Sequence, residues 1–412
     1  MNIAIVGGGA AGLMAAAAVQ EARPNLGVSL IERNPELGKK VVISGGGRCN
    51  VTTGATPLGA VLESYPRGRA FIEYAMRRFP PQAVVAWFEA HGVPLKTEED
   101  LRVFPQSDEG RSVVRVFEKL FQSSNSNVRV LLRTHVTGVK KSGRGFALSV
   151  RDGESIEADR LVLTTGGQAY RMTGSTGDGY AFAESLGHTV TALAPSLNSF
   201  FTAETWPKEL SGLSIVRARL RAADGKKSYE GPFLFTHRGV SGPAVFALSA
   251  LVAFETYDAL HPLMISIDLS PAERLDALAG RLANLSRTNG KKNLKTVLGF
   301  ALPKALAGVL VRAVGADGDM QAAQATKKLL TACAAWMKAI PLSVVGRGAG
   351  DEFVTAGGVE TAEVNPRTME SRITPGLFFA GEILNVDGFT GGFNLQSSWA
   401  TGRLAGESAA TG

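Results

Sequence analysis

The feature that most constrains this chain lies in its first dozen residues. Asn2-Ile3-Ala4-Ile5-Val6 is a short apolar run without a basic leader. It enters Gly7-Gly8-Gly9-Ala10-Ala11-Gly12, a GxGxxG turn, and then an alanine-rich stretch to about Ala22. The apolar run reads as a buried strand and the alanines as a helix. Gly7 permits the tight turn, Gly9 lets the backbone approach a pyrophosphate, and Gly12 allows helix and strand to pack closely. The helix start then offers free N–H groups and its positive dipole end to phosphates. Pro24-Asn25 ends the helix, and Val28 to Glu32 forms a second strand. Glu32 stands 20 residues beyond Gly12, placed to accept from the hydroxyls of an adenosine ribose. The opening is a βαβ dinucleotide-binding unit, so the fold class is α/β.

The chain's 412 residues exceed one ordinary core and point to two or three compact units. Residues 70–122 read as helical, with Phe71, Tyr74, Trp87 and Phe88 on the apolar faces. Val128–Leu132 reads as a strand, followed by an antiparallel ribbon over 135–159 and a buried strand at Leu161–Leu163. From 193 to 270 short strands and turns dominate. Residues 271–340 carry helical spacing, opened by Ser270-Pro271-Ala272-Glu273 as cap, first helical position and capping-box acid. Gly346-Arg347-Gly348-Ala349-Gly350 precedes a strand rather than a helix and reads as a linker. These segments predict a discontinuous Rossmann-type domain over 1–192 and 351–412, an inserted β-rich domain over 193–270 and 341–350, and a helical subdomain over 271–340.

Two further glycine clusters decide between dinucleotides. Leu37-Gly38-Lys39-Lys40 leads to Ser44-Gly45-Gly46-Gly47-Arg48-Cys49-Asn50, a loop whose amides can press on a phosphate or a flat ring, with Arg48 as a fixed positive charge. Near the C-terminus, Gly376-Leu377-Phe378-Phe379-Ala380-Gly381-Glu382 reads as a buried strand ending in an acid. Gly388-Phe389-Thr390-Gly391-Gly392-Phe393-Asn394 and a helix over Leu395–Leu404 follow. The acid can hold a ribityl chain, and the helix start can favour negative charge at the pyrimidine edge of a reduced flavin. Three clusters spread over the whole chain suit a long FAD better than NAD.

These motifs resemble the BaiN/YhiN-like family of FAD flavoproteins, which includes aminoacetone-oxidase-like enzymes. The matching stretches are Ile5–Gly12, Leu37–Thr52, Arg102–Ser107, Thr173–His188, Phe235–Pro243 and the run from Val354 through Glu370 to Gln396. Thr53 departs from the family, which more often has Asn there. The resemblance implies an FAD domain split by a β-rich and a helical insertion. It places FAD against Gly7, Gly9, Gly12, Glu32, Lys40, Arg48, Gly381, Glu382, Gly392 and Asn394, and since no His or Cys position is arranged for covalent attachment, a non-covalent complex is expected. Ala10, Ala11, Arg33, Ser44, Gly45, Gly46, Cys49, Asn50, Gly391 and Leu395 belong to the same loops, and Thr165-Gly166 resembles a strand-end Thr-Gly near the adenine side.

Two residues are weighed as catalytic. Cys49 beside a flavin could act as a thiolate if Arg48 lowered its pKa, against a plain packed residue. His237, in Phe235-Thr236-His237-Arg238-Gly239-Val240-Ser241-Gly242-Pro243, could be an acid/base in a cleft facing the flavin, with Ser241 capping the helix that follows; the alternative is a structural histidine. The other histidines are too scattered for a metal site. Only Cys49 and Cys333 occur, without CxxC spacing, which fits a reducing compartment and a cytoplasmic protein. No apolar run reaches the roughly 20 residues that span a bilayer.

The expected function is an FAD-dependent oxidoreductase passing hydride between flavin N5 and a small organic substrate. It is either a reductase taking hydride transiently from NAD(P)H or an amine oxidase. The net charge of +7 raises an RNA-linked flavoprotein as an alternative, beside a non-catalytic flavin-binding regulator. Against nucleic acid, the Arg and Lys residues read as spread along the chain, and the helical segment shows no arginine–aromatic clustering. Nothing in the pattern fixes an oligomeric state.

Overall fold

The computed structural model describes residues 1–348 and 352–411. Its contacts divide the chain into two units, Met1–Ser196 with Glu352–Gly412, and Leu197–Asp351.

The first unit is built on a five-stranded, all-parallel sheet. Its order is Leu377–Phe379, Arg160–Leu163, β1 (Asn2–Val6), β2 (Gly27–Ile31) and Val128–Leu131. Strands covered on both faces need near-continuous apolar runs, which these have. Helix α1 (Ala10–Ala22) is buried from Ala11 to Val19 because the C-terminal helix, Phe393–Thr411, lies along it. A Cβ at Gly402 or Gly406 would stand 2.4 or 2.3 Å from the carbonyl oxygens of Ala11 and Ala15. The two helices therefore meet backbone to backbone, which is why both are rich in small residues. From β1 the chain first builds β2 and Val128–Leu131 on one side, then returns to add Arg160–Leu163 on the other. The carboxyl end of β1 is thus the switch point at which open α/β sheets bind ligands.

Two local expectations change here. Residues 70–122 do hold helices (Arg69–Arg78, Pro81–Ala90, Gly110–Gln122), but Leu95–Thr97 and Arg102–Pro105 pair as strands, with Thr52–Thr53 on the far side of the second. Gly92, at φ +82°, ends the preceding helix and releases a β-prone run. Ala194–Ser196 pairs with Val354–Ala356, so the first unit reaches Ser196 rather than ending at 192. The ribbon over 135–159 forms as a three-stranded antiparallel sheet.

The second unit is a closed six-stranded barrel around the buried rings of Phe200, Phe233 and Phe235. Four helices, Leu275–Thr288, Leu294–Leu298, Lys304–Ala313 and Lys327–Lys338, lie between its strands Leu263–Asp268 and Ile340–Arg347. Ser270 does not cap the first of them, which starts at Leu275 with Arg274 at the N-cap. The Lys338 ammonium takes the Ser270 and Glu273 carbonyls, both at 2.7 Å, and so holds 270–273 as a turn. Ser241 does not cap either. Its hydroxyl bonds that of Ser199 at 2.7 Å, and Gly242, at φ +101°, takes the cap position. Gly346 and Arg347 end a barrel strand instead of forming a linker, while Ala349 and Gly350 lie outside the described residues. Among the described residues no helix is long and apolar enough to cross a membrane.

Candidate functional site

Parallel strands put their carboxyl ends on one edge. Here that edge gathers Gly7 after β1, Glu32 after β2, Thr164–Gly166 after Arg160–Leu163, and Gly381–Glu382 after Leu377–Phe379. Gly7 turns at φ +111°, and a Cβ there would stand 2.4 Å from the Thr164 carbonyl oxygen. The Thr164 hydroxyl bonds the Val6 and Gly7 carbonyls at 2.9 and 2.8 Å. At Gly12 a Cβ would come 1.9 Å from the Gly7 oxygen, so only glycine lets α1 sit on its own turn. Gly9 is different. A Cβ there would meet nothing within 4 Å. The first bond of α1 runs from the Leu13 N–H to the Gly9 carbonyl at 2.9 Å, and no side chain caps the helix. The N–H groups of Ala10 and Ala11 therefore have no acceptor among the described residues, at the end where the dipole is positive.

The buried Glu32 carboxylate accepts from the Gly8 N–H and the Asn34 N–H, each at 2.8 Å, and from the Asn34 amide at 2.7 Å. An ionised carboxylate offers about four acceptor positions, so one stays available to a ribose hydroxyl. Lys40 and Glu382, expected as separate cofactor contacts, form one ion pair at 2.8 Å. The other Glu382 oxygen accepts from the Thr355 N–H at 2.9 Å. Arg33 is likewise held within the protein, bonded to Thr176 at 2.7 Å and Asp178 at 2.9 Å.

Arg48 corrects two expectations. Its guanidinium lies between Glu98 at 2.5 Å and Asp108 at 2.7 Å, over the Phe104 ring at 3.9 Å, so it is committed to carboxylates. These neighbours raise the Arg48 pKa, and Lys96 and Arg48 hold the Asp108 carboxyl below its usual range. Arg48 does not lower the pKa of Cys49; only a hydrogen bond with Ser44 acts in that direction, and burial outweighs it. That side chain is fully buried, and burial pushes its thiol up to about 12. Cys49 is a packed, protonated residue rather than a thiolate.

The loop that follows Lys40 turns through Gly45, Gly46 and Gly47 at φ +59°, +72° and +89°. Cβ positions on Gly46 and Gly47 would touch no described atom within 4 Å, so this backbone is open to a flat partner. The Ser44 carbonyl accepts from the Cys49 N–H at 2.9 Å, and the Asn50 side chain accepts from the Val103 N–H at 3.2 Å. The loop docks on the start of the C-terminal helix. A Cβ on Gly392 would stand 2.2 Å from the Thr52 carbonyl oxygen, Thr52 bonds Gln396 at 2.6 Å, and the Trp399 indole donates to the Val51 carbonyl at 2.9 Å. Asn394 is used internally, pinning Gly388 through two bonds of 2.8 Å and leaving Gly391, Gly392 and Leu395 to shape the helix entrance. Thr53, the departure from the family pattern, accepts from the Ala55 N–H at 3.2 Å.

Several groups of this unit lack partners among the described residues. The Thr165 hydroxyl, the Tyr180 phenol and the Asn385 side-chain amide oxygen are buried without a hydrogen bond among the described residues. Burial, with the Glu382 carboxylate adding to it, keeps Tyr180 protonated. Orphaned amides at α1, open glycine faces and orphaned buried oxygens fit a long dinucleotide.

Thr355 is a positioning residue that the pattern of residues does not reveal. Its hydroxyl accepts from the Gln168 and Ala169 N–H groups at 2.7 and 3.2 Å, which shapes the loop after Gly166. The fully buried Asp387 pairs with Arg67 through two bonds and accepts from Ser196 at 2.9 Å; its acid character is not readable from sequence spacing either. Burial still outweighs Arg67 and raises the Asp387 pKa. His237 is not part of this edge. It lies in the other unit, exposed in the turn between strands Ser228–Thr236 and Gly239–Ser241.

Comparison with known proteins bears on the same architecture. The HI0933-like protein Rossmann domain matches residues 1–408. The 3-dehydro-bile acid delta(4,6)-reductase of Clostridium scindens is 30% identical over 99% of each chain. The ribosomal RNA dihydrouridine synthase of Escherichia coli is 31% identical over 96% of this chain and 95% of its own. FrdA of E. coli quinol fumarate reductase shares the fold at 18% identity and a TM-score of 0.51, over 99% of this chain and 69% of its own. The chain therefore belongs to the HI0933-like Rossmann family of BaiN/YhiN-like FAD-dependent oxidoreductases.

Proposed function

We propose that this enzyme is a reductase that saturates a carbon–carbon double bond conjugated to a carbonyl, with NAD(P)H as the external hydride donor. Both named relatives point to that group. A bile acid delta(4,6)-reductase acts on unsaturation conjugated to a 3-ketone, and a dihydrouridine synthase acts on the ring double bond of uracil, next to its 4-carbonyl. The observation that carries the flavin part of the reading is the edge itself. Two unbonded amides of α1, the open face of Gly9 and the spare acceptor position of Glu32 stand at the switch point of one parallel sheet.

When bound, FAD supplies two-electron redox chemistry. The chain supplies the rest. Ala10 and Ala11 amides hold the pyrophosphate, and Glu32 takes a ribose hydroxyl while keeping Gly8 and Asn34 in place. The Lys40–Glu382 pair fixes the two cofactor loops relative to each other. The start of the Phe393–Thr411 helix favours negative charge beside its first turn. The proton that balances the reduction is taken from water. With both cysteines buried and their thiols raised, to about 12 for Cys49 and about 11 for Cys333, no thiol relay is proposed. Buried, unpaired cysteines also support a reducing, cytoplasmic setting.

The test is anaerobic. The FAD-loaded protein is mixed with NADH, NADPH or an amine panel, and then with a conjugated enone or a uridine-containing RNA. We expect a nicotinamide to bleach the flavin absorbance and an unsaturated carbonyl to restore it. Bleaching by an amine alone, or no bleaching by any donor, would overturn the reading.

A further inference from the structure

The formal net charge of +7 is not spread along the chain. The first unit balances at 25 Lys/Arg against 25 Asp/Glu, whereas the second holds 19 against 12. Within the second unit, the barrel segments 197–270 and 341–351 balance at eight each. The helical segment 271–340 holds eleven cations against four carboxylates, and so carries the whole excess.

The structure shows which of these cations are committed. Arg274, Arg281, Arg312 and Lys338 pair with Asp276, Glu273, Glu209 and Asp268 at 3.4, 3.0, 2.6 and 2.7 Å. Arg287, Lys291, Lys292, Lys295, Lys304, Lys327 and Lys328 are exposed, with no carboxylate in ion-pair range among the described residues. Uncompensated like charge destabilises a compact fold unless an anionic partner uses it. Two details say what kind of partner. The Lys292 ammonium lies over one face of the half-exposed Phe300 ring, 4.8 Å from its centroid, and a ring held this way offers its other face to base stacking. An open groove of about 1400 Å³ between the barrel strand Ser214–Ala222 and the helices is lined by Arg221, Arg287 and Lys327, and by Asp268, Glu273 and Asp276, each of which is paired with a cation of its own. An anionic bilayer would instead need a continuous apolar face. Leu278, Leu282, Leu294, Leu306 and Leu310 are all turned into the core.

We propose that segment 271–340 is a docking surface for RNA, with its free cations on the phosphodiester backbone and Phe300 under a base. The choice of RNA over DNA rests on the uracil arm of the proposed function; the surface itself does not. The arginine–aromatic signal sought in the sequence is absent because this contact joins a lysine and a phenylalanine eight positions apart.

The test uses full-length, FAD-loaded protein and a fluorescein-labelled hairpin RNA with uridines in its loop, followed by anisotropy across a KCl series. Each cation–phosphate contact contributes about −0.7 to the slope of log K against log salt on single strands, so seven contacts give about −5. K291Q/K292Q/K295Q should flatten the slope by about 2 and weaken binding at low salt at least tenfold. R115Q/R129Q/R144Q removes the same charge from exposed positions of the first unit and should change affinity less than twofold. Phe300→Ala should weaken binding on the order of tenfold with the slope unchanged. Equal losses in both triple variants, an unchanged slope in the helical one, or tighter binding to phosphatidylserine vesicles than to RNA would overturn the proposal. Binding without reduction of either uridine or a conjugated enone would sink the reductase reading and leave the surface standing. Reduction of RNA uridine that is indifferent to the helical substitutions would do the reverse.

Discussion

Substituting Gly9 separates folding from cofactor binding in a way few positions allow. Its backbone is extended at φ −83° and ψ −170°, which alanine adopts freely, and a Cβ there meets no described atom within 4 Å. Gly9→Ala therefore costs the empty protein nothing in contacts and removes freedom from the unfolded chain, a gain of about 0.5 kcal/mol. For a unit of this size that is a Tm rise of about 1–2 °C. The new methyl occupies space beside the free N–H groups of Ala10 and Ala11. Holding a phosphate off one charge-assisted bond loses about 1.5–3 kcal/mol, or roughly 10- to 150-fold in FAD affinity. Thermal unfolding of flavin-stripped protein and quenching of FAD fluorescence on titration read the two effects separately. A variant that binds FAD as the parent does would refute the assignment of this face to the pyrophosphate, and a less stable empty variant would refute its openness. Gly12→Ala is the contrast: with 1.9 Å between its Cβ and the Gly7 oxygen, it should destabilise the unit even without flavin.

Other expectations follow from single groups. Glu32→Gln turns an NH₂ toward the Gly8 or Asn34 amide, so urea unfolding should show a loss of about 1–3 kcal/mol together with weaker FAD binding. The Cys49 thiol keeps its proton when folded up to about pH 12 and loses it when unfolded from about pH 9. Its stabilisation is complete below about pH 9 and fades above, by at most about 1.4 kcal/mol per pH unit. Cys49→Ala should flatten that alkaline loss in denaturation curves, and an unchanged slope would contradict it. Arg67→Met strands the buried Asp387 and should cost about 3–5 kcal/mol, whereas Arg67→Met with Asp387→Leu should cost less than the single change. His237→Gln should leave FAD affinity and thermal stability as in the parent, because the side chain is exposed and lies outside the cofactor-binding unit; a weaker FAD titration would contradict that.

The βαβ opening is legible in the sequence because its determinants are local: glycine spacing, an apolar run and an acid at the end of the second strand all fall within 32 residues. What stayed hidden depends on partners far along the chain. Lys40 and Glu382 read as two ligand contacts and prove to be one ion pair, 342 residues apart. Arg48 looks free beside Cys49 until Glu98 and Asp108 fold back onto it. The strands at Leu95–Thr97 and Arg102–Pro105 are short enough to vanish between helices, and the Ser270 cap signal yields to Lys338, which claims the carbonyls of that turn. The charge asymmetry is in the sequence throughout, and a count over the helical segment 271–340 alone would have shown it.

A crystal structure of the FAD complex tests the central claim most directly. The account requires the pyrophosphate within hydrogen-bonding distance of the Ala10 and Ala11 amides, with the adenosine ribose on Glu32. Phosphate density elsewhere, with those amides facing solvent, would contradict it.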